Sequence, residues 1–398
     1  MDLRGGVTLW EARNGTSASA RPLTQNTRAD IVIIGAGITG SFIAEALSRD
    51  GRSIIVLDRY RPQMASTAAS TALLQWEIDT PLRELAHIVG FERAADVYQA
   101  SIQAVRDILS LVDKLGIACD CRPRSSLYLA GDEMGPAELQ DEWRLRSRAH
   151  IDSFYLDHAA LWTNFALDRP AALFDRGCAE ADPLALARGL MGHAMSRGVA
   201  VHSPVEIVDY EITRHGAAVL TADGLEVGCD MLILANGYDM PPIVPARLHS
   251  IVSTWAVATE PLSDNAWGDA LLWEASDPYL YARRTADHRL IIGGEDEDIT
   301  DPDQRDAKIQ EKTKTLLAKM HALKRGMVLT VDYAWSGFFG TTDDGLPLIG
   351  NLPGHDKVFA AFGYGGNGIT FSAIAAQLIA QALAGRYSPL LESFRIDR

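Results

Sequence analysis

The sequence predicts an α/β fold in which a nucleotide-binding domain with a parallel sheet is interleaved with a second domain that has its own sheet. Three observations predict it. Residues 29–60 read as strand, glycine turn, helix and strand. Glycine-rich turns after buried strands recur in the middle and at the end of the chain, and the stretches between them are patterned differently. The length of 398 residues also favours two domains over one core.

The first unit has the pattern of a βαβ crossover. Ile31–Ile34 is a continuous apolar run, as a strand buried on both faces requires. A helix is predicted from about Gly37 to Arg49, where Gly51 ends it, and Ser53–Leu57 is a second buried strand. Two such strands joined by a helix pair in parallel.

The remaining elements follow from hydrophobic periodicity. Helices are predicted at 83–115, 184–198, 304–324 and 368–384, and strands at 125–130, 201–209, 229–237, 250–260, 279–294, 328–335 and 357–362. From this order we expect an N-terminal arm (1–27), a discontinuous nucleotide-binding domain (28–78, 180–245 and 330–398) and a substrate domain (79–179 and 246–329).

Composition limits the partners. The formal net charge of −15 disfavours nucleic acid and anionic membrane surfaces as partners, and it says little about a small-molecule substrate, because a cleft can differ from the net surface. Four cysteines, no signal-peptide pattern and no run of 18 apolar residues favour a cytoplasmic enzyme. No cluster of cysteine and histidine has the spacing of metal ligands. The oligomeric state is left open.

The glycine motif at 35–40 carries the first chemical signal. Gly35 permits a tight turn, Gly37 lets the backbone approach a pyrophosphate, and Gly40 allows the helix to pack closely on the strand. The helix N-terminus then offers N–H groups to phosphates. Asp58, at the end of the second strand, can accept the hydroxyls of an adenosine ribose and disfavours NADP. NAD and FAD both remain open at this point.

Three further segments favour FAD over NAD. A run of small polar residues at 66–72 can donate hydrogen bonds to a pyrophosphate and ribityl chain, and its alternative is a polar loop. The strand at 232–235 ends in the turn Asn236-Gly237. The glycine-rich segment 363–370 precedes an apolar helix, whose N-terminus could stabilise the negative charge of reduced flavin. Ordinary glycine turns without a ligand are the alternative for the last two.

Together with WSGFFGTTDDGLPLIG (335–350) and GYGGNGITFS (363–372), these segments resemble the D-amino acid oxidase superfamily. The chain is most similar in pattern to the branch of glycine oxidase, sarcosine oxidase and gamma-glutamylputrescine oxidase, over about residues 28–385. The resemblance implies a Rossmann-like FAD-binding domain interleaved with an α+β substrate domain, whose antiparallel sheet covers the flavin. It also implies oxidation of a C–N bond in a small amine or amino acid, by hydride transfer to flavin N5.

The resemblance also assigns the cofactor contacts. Those on the ADP moiety are Gly35, Gly37, Ile38, Thr39, Gly40, Asp58 and Arg59. Those on the pyrophosphate and ribityl chain are Ser66, Thr67, Ser70 and Thr71, with the backbone of Val205 on the adenine. The central turn supplies Ala235, Asn236 and Gly237, and the isoalloxazine faces Gly366, Asn367, Gly368, Ile369 and Thr370.

Departures from the family pattern bear on the substrate. No cysteine occurs at 335–340, where sarcosine oxidase-like members attach FAD covalently, so noncovalent FAD is expected. Phe339 stands where glycine oxidase-like members bind the substrate carboxylate with an arginine, which favours an amine. Arg283 and Arg284 are the alternative carboxylate ligands. The stretch 289–293 has no lysine to activate oxygen, which leaves the electron acceptor open.

Substrate-site residues follow from the same strands. The candidate catalytic residues are Phe339, Tyr281, Arg284 and Gln75, and further aromatic candidates are Trp255, Tyr279, Trp335 and Phe338, with core packing as the alternative. Either of the carboxylates Glu77 and Asp79 could hold a substrate ammonium or accept its proton, and a solvated loop is the alternative.

Other functions remain open from sequence. The flavin could oxidise a hydroxy acid or hydroxylate a substrate. The nucleotide fold could serve an NAD-only dehydrogenase, or a module that holds flavin for binding or redox sensing.

Overall fold

The computed structural model describes residues 2–15, 20–245, 248–263 and 267–398. The helices are α1 (Leu9–Asn14), α2 (Ile38–Leu47), α3 (Ser66–Ala69), α4 (Leu82–Val89), α5 (Phe91–Leu115), α6 (Pro136–Arg148), α7 (His158–Phe165), α8 (Pro183–Ser196), α9 (Pro302–Ala307), α10 (Ile309–Leu323), α11 (Gly368–Leu383) and α12 (Pro389–Ser393).

The strands are β1 (Arg4–Gly6), β2 (Thr27–Ile34), β3 (Ile54–Leu57), β4 (Leu73–Leu74), β5 (Arg122–Leu129), β6 (Ser153–Asp157), β7 (Ala171–Glu180), β8 (Ala200–His202), β9 (Ile207–Thr213), β10 (Gly216–Thr221), β11 (Glu226–Leu234), β12 (Ser250–Thr259), β13 (Leu271–Glu274), β14 (Leu280–Arg284), β15 (Leu290–Glu297), β16 (Val331–Thr341), β17 (Leu348–Leu352) and β18 (His355–Phe362).

The first sheet has the strand order β17-β18-β11-β2-β3-β8. From β18 to β8 all neighbours are parallel, whereas β17 is antiparallel and β9 and β10 attach to β11 as an antiparallel extension. β3 and the second half of β2 are apolar and buried, because both faces of the sheet are covered there. Helices α2, α5, α8 and α11 cover one face, and the extension covers the other. This sheet carries the glycine turn at the carboxyl end of β2.

The second sheet has the order β1-β16-β12-β15-β14-β13-β5-β7-β4, with β6 on β7. Its pairs are antiparallel except for β5 and β13. Helix α10 buries Leu316, Met320 and Leu323 against one face, beside Trp255 of β12. The opposite face of β12 and β16 therefore faces the glycine turns of the first sheet. The predicted fold class, α/β with an antiparallel-sheet substrate domain, is confirmed.

Several element limits differ from the sequence prediction. The helix predicted at 83–115 is two helices, because Gly90 between them has φ +87°. The strand predicted at 201–209 is divided between β8 and β9, which pair with different neighbours. The strand predicted at 328–335 is the longer β16, which is hydrogen bonded along its length to β12. The domain division stays a prediction.

The N-terminal segment belongs to the second sheet. Arg4–Gly6 pairs with β16, so the predicted arm is partly a strand. Leu9 and Trp10 are each 1% exposed, and the indole N–H of Trp10 donates to the Ser70 carbonyl at 2.7 Å. No helix in the described part of the chain is both long and apolar enough to cross a bilayer.

Candidate active site

One long cleft runs between the two sheets. Its floor is the turn after β2, α3, the segment 75–79 and the glycine turn before α11, and its cover is formed by β12, β14 and β16. Ligands of open α/β sheets bind outside the carboxyl ends of the strands, which is where this cleft begins. None of the four cysteines lines it.

The turn at 35–40 is shaped by two close backbone approaches. Gly35 has φ +107°, and a Cβ there would lie 2.3 Å from the Ala235 carbonyl oxygen. A Cβ on Gly40 would lie 1.9 Å from the Gly35 carbonyl oxygen. Both positions therefore require glycine, as the sequence motif predicts.

The N-terminus of α2 is open to a ligand. Its N-cap, Gly37, has no side chain to bond the free N–H groups, and Thr67 Oγ1 accepts one of them, from Ile38, at 2.9 Å. Asp58 accepts N–H groups from Ala36 at 2.6 Å and Tyr60 at 2.8 Å. Burial raises the pKa of Asp58, which these two donors oppose. The turn thus offers both a phosphate site and an acceptor for ribose hydroxyls.

Several polar atoms in the cleft wall lack partners among the described residues. They are Ser66 Oγ, Gln75 Nε2, Asn236 Oδ1, Trp273 Nε1 and Asn367 Oδ1, each inaccessible or nearly so. Buried polar atoms without hydrogen bonds are costly, so a wall with this many is suited to a ligand that has polar edges along its length. FAD has such edges in its ribityl chain and isoalloxazine, and the wall therefore fits it.

The structure brings most of the predicted cofactor residues together. Lining the cleft are Gly35, Gly37, Ile38, Thr39, Asp58, Arg59, Ser66, Thr67, Ser70, Thr71, Val205, Ala235, Asn236, Gly237, Gly366, Asn367, Gly368 and Ile369. Gly40 and Thr370 lie behind the lining, where Gly40 packs on Gly35 and Thr370 Oγ1 donates to the Gln75 carbonyl at 2.9 Å. The N–H of Val205 donates to the Asp58 carbonyl at 2.8 Å, which leaves only its own carbonyl for adenine.

Phe339, Tyr281 and Gln75 also line the cleft, but Arg284 does not. Alternate residues of a strand point to opposite faces, so Arg284 of β14 is directed away from the face that bears Tyr281. The catalytic role expected for Arg284 therefore stays a prediction that its position does not support. Arg283 shares the face of Tyr281, but it donates to the Thr71 and Ala181 carbonyls and forms an ion pair with Glu180 at 3.1 Å. Neither arginine is placed to bind a substrate carboxylate.

Asp79 lies at the end of the cleft next to the second glycine turn. Its Oδ2 accepts the Gly366 N–H at 2.6 Å. It is accessible through the cleft, although protein surrounds it on the other sides, and this burial raises the pKa of Asp79. No lysine or arginine of the described residues forms an ion pair with it. The basic side chains that line the cleft in the described structure, Arg59 and Arg61, are at the other end, beside Asp58.

Three tyrosines of the cleft wall lie within electrostatic range of this carboxylate. Burial raises the pKa values of Tyr238, Tyr279 and Tyr281, the last to about 12, and the charge of Asp79 raises each further. The rings of Tyr279 and Tyr281 are 5.9 Å apart. Aromatic faces around an anion form a favourable site for an organic cation.

Glu77 is a structural neighbour of the site. Its carboxylate accepts hydrogen bonds from Ser126 Oγ and, at 3.1 Å, from Cys178 Sγ, and its carbonyl accepts from Asn367 Nδ2 at 2.8 Å. Of the two acidic candidates, Glu77 has its carboxylate hydrogen bonded within the protein interior, whereas Asp79 faces the cleft.

Sequence reasoning missed two groups near the site. Asp296 of β15 lies near Thr254 and Tyr279, which both line the cleft. Lys312 of α10 has its Nζ 4.9 Å from the ring centre of Trp255, on the side of β12 that faces α10. Both residues reach the site through pairings between distant segments, for which the local sequence has no signal. No metal-ligand cluster occurs among the described residues.

A parallel sheet with an open glycine turn at the carboxyl end of a central strand defines the class of dinucleotide-binding proteins. Comparison with known sequences gives the family. The DAO family, described as FAD dependent oxidoreductase, matches residues 30–382. The chain belongs to this family and is an FAD-dependent oxidoreductase. The resemblance to D-amino acid oxidases inferred from sequence is thereby confirmed, as is FAD as the cofactor.

Individual relatives are distant. A gamma-glutamylputrescine oxidoreductase of Escherichia coli (strain K12) is 24% identical over 91% of this chain and 85% of its own length. A glycine oxidase of Bacillus licheniformis is 23% identical over 93% and 98%. Among solved structures, glycine oxidase from Geobacillus kaustophilus superposes with a TM-score of 0.80 at 18% identity, over 93% of this chain and 99% of that one. Iminodiacetate oxidase from Chelativorans sp. BNC1 gives 0.74 at 20%, over 92% and 98%. At these identities the structures establish the fold alone.

Proposed function

We propose that this chain oxidises the C–N bond of a small amine and that Asp79 binds the substrate nitrogen. The relatives named for gamma-glutamylputrescine, glycine and iminodiacetate support a nitrogen-containing substrate. The observation that carries the proposal is the carboxylate of Asp79, which has no ion-pair partner among the described residues and lies at the end of the cleft where no described lysine or arginine lines the wall. A site of this charge attracts an ammonium and repels a carboxylate.

The chemistry assigns Asp79 two tasks. FAD, when bound, would supply a two-electron acceptor for the hydride on the carbon next to the nitrogen, and water would hydrolyse the resulting imine. Asp79 would orient the substrate by accepting a hydrogen bond from its ammonium. Because Oδ2 is engaged by Gly366, Oδ1 is the oxygen available to take the proton that must leave before hydride transfer. Tyr281 and Phe339 would bound the substrate's apolar part.

The amine class is favoured over the α-amino acid class by the positions of the arginines. Phe339 is on β16 beside the cleft, and Arg283 is held in an internal ion pair. A substrate carboxylate would therefore meet Asp79 without a compensating cation, which costs binding energy. Free cysteines at 119, 121, 178 and 229 support the further proposal of a cytoplasmic location.

The test is an anaerobic titration of the holoenzyme with amines and amino acids, followed by flavin absorbance. Amines should bleach the flavin, and Asp79→Asn should raise the amine concentration needed at least tenfold, because the amide keeps the Gly366 hydrogen bond but loses the charge. Asp141→Asn, on the exposed face of α6, should behave as the parent does. Bleaching by amino acids alone, or an unchanged titration of Asp79→Asn, would refute the proposal.

A further inference from the structure

Five neighbouring strands of the second sheet each place one residue in a row across the cover of the cleft. In order they are Trp335 of β16, Ala256 of β12, Gly293 of β15, Tyr281 of β14 and Trp273 of β13, each paired directly with the next. Directly paired residues share a face of the sheet, and all of these except the buried Gly293 line the cleft. The row therefore has large aromatic side chains at both ends and its two smallest residues between them.

Tyr281 lies across β15 at Gly293. A Cβ added at Gly293 would lie 2.3 Å from the Tyr281 hydroxyl oxygen, 2.4 Å from Cζ and 2.6 Å from Cε2 of the same ring. The hydroxyl end of the ring thus rests on the strand backbone, and only glycine leaves room for it there. On the other side of Tyr281, Trp273 is stacked on Tyr128 with the ring centres 3.7 Å apart, and the ring of Tyr279 is 5.9 Å away.

Gly293 and its neighbour Gly294 are glycines for different reasons. Gly294 has φ +124°, and a Cβ there would lie 2.1 Å from the Tyr279 carbonyl oxygen, which is backbone. Gly293 does not have a positive φ, and the atoms that its Cβ would meet are the far end of a side chain, which can move. A methyl group at position 293 is therefore compatible with the fold and incompatible with the present position of Tyr281.

The displaced ring would have one direction open to it. The backbone of β15 lies beneath the ring, and Trp273, braced by Tyr128, occupies the neighbouring strand. The Tyr281 ring would therefore rise into the cleft, by about 1 Å if it is to reach ordinary van der Waals contact with the new methyl group. The depth of the cleft at this point is thus determined by the residue at 293.

We propose that Gly293 is a positioning residue that sets, through Tyr281, how long a substrate the site accepts, and that the substrate is an amine with an extended apolar substituent. The inference rests on the proposed function, in which Tyr281 bounds the apolar part of the substrate. Because Tyr281 lies flat on the cover, the space in front of it is free for methylene groups, and the aromatic side chains that line this space suit them.

The experiment compares Gly293→Ala with the parent by anaerobic flavin reduction of the holoenzyme. Two series are used, n-alkylamines and unbranched α-amino acids, each of two to six carbons. In Gly293→Ala the ratio of kcat/KM for the six-carbon member to that for the two-carbon member should fall about tenfold, because the raised ring excludes the distal methylenes. Gly192→Ala, whose Cβ meets nothing within 4 Å, should keep the parent's ratio.

A second comparison shows whether the effect passes through Tyr281. Leucine at position 281 lacks the ring atoms that the methyl group would meet, so adding Gly293→Ala to Tyr281→Leu should leave the chain-length ratio of Tyr281→Leu unchanged. A tenfold fall in this background as well would refute the role of Tyr281.

The outcomes separate this inference from the proposed function. Equal losses for short and long substrates in Gly293→Ala would refute the inference and leave amine oxidation standing. Reduction by the amino acids alone would refute the proposed function, and the chain-length ratio in that series would still decide the role of Gly293. If neither series reduces the flavin, crystal structures of the two holoenzymes decide it, because an unmoved Tyr281 ring in Gly293→Ala would refute the inference.

Discussion

Gly40 determines how closely α2 approaches the first sheet. A methyl group there would lie 1.9 Å from the Gly35 carbonyl oxygen, which is backbone and cannot move aside cheaply. We expect Gly40→Ala to displace the turn and lower the flavin content of the purified protein several-fold, as measured by the ratio of absorbance at 450 and 280 nm. Gly192→Ala is the control, because its Cβ meets nothing within 4 Å in α8, and it should stabilise the fold by about 0.5–1 kcal/mol. Equal flavin content in both variants would contradict this reading.

Asp296 should also make stability depend on pH. Burial raises the pKa of its carboxyl to about 6, hydrogen bonding from Thr254 and Tyr279 and the charge of Lys312 oppose this, and the charge of Asp79 adds to it. A carboxyl whose pKa is raised by folding binds its proton more tightly in the native state. The stability that this proton contributes is present in full below the pKa of the unfolded state. It is lost as the pH rises through the pKa of the carboxyl in the folded protein.

The free energy of unfolding of the parent, relative to Asp296→Asn, should accordingly fall by about 1 kcal/mol between pH 5 and pH 7. Urea denaturation of both apoproteins at the two pH values measures it. A difference that stays constant with pH would mean that the carboxyl has an ordinary pKa in the folded protein.

Among single residues, the sequence predicted correctly those whose position depends only on neighbouring residues in the chain. Gly35, Gly40 and Asp58 are recognisable because turn, helix and strand lie within one short segment. The local sequence could not show how Arg283 and Arg284 are directed, because that depends on which face of β14 meets the cleft. Asp296 was missed because its separation from the lysines depends on α10 and on a bulge, and neither has a signature in the residues around it.

At the scale of elements, α6 supports the cleft through a buried charge network. Arg146 donates to Glu142 and Asp175, each at 2.8 Å, and its guanidinium lies 5.2 Å from the ring centre of Trp76. Trp76 belongs to the segment 75–79 that ends at Asp79. Burial raises the pKa of Asp175 to about 7, Arg146 opposes this, and Glu77 adds to it.

Arg146→Met should leave buried carboxylates without their cation and lower the free energy of unfolding by about 3–5 kcal/mol. Arg144→Met removes an exposed arginine from the same helix and should cost less than about 1 kcal/mol. Guanidinium chloride denaturation of both variants measures the contrast. Similar midpoints would show that the network contributes little.

At the scale of the whole molecule, the sequence predicted the architecture better than it predicted which distant segments pair in one sheet. The interleaved arrangement was predicted from glycine turns that recur after buried strands. Each such turn is a local feature and can be recognised in the sequence. The sheet to which β16 belongs is decided by its partner β12, which lies about 80 residues earlier in the chain, and the domain limit at residue 330 stays a prediction. The second sheet's parallel pair, β5 with β13, likewise joins segments more than 140 residues apart.

The pairing of β1 with β16 has a consequence for biosynthesis. β1 leaves the ribosome first, yet its partner begins at Val331, and β18, which pairs with β11, is completed only at Phe362. At a translation rate of roughly 5–20 residues per second, the first strand waits for tens of seconds. β1 is thus exposed to chaperones and proteases until β16 has been made, and the first sheet is completed after the second, at Phe362.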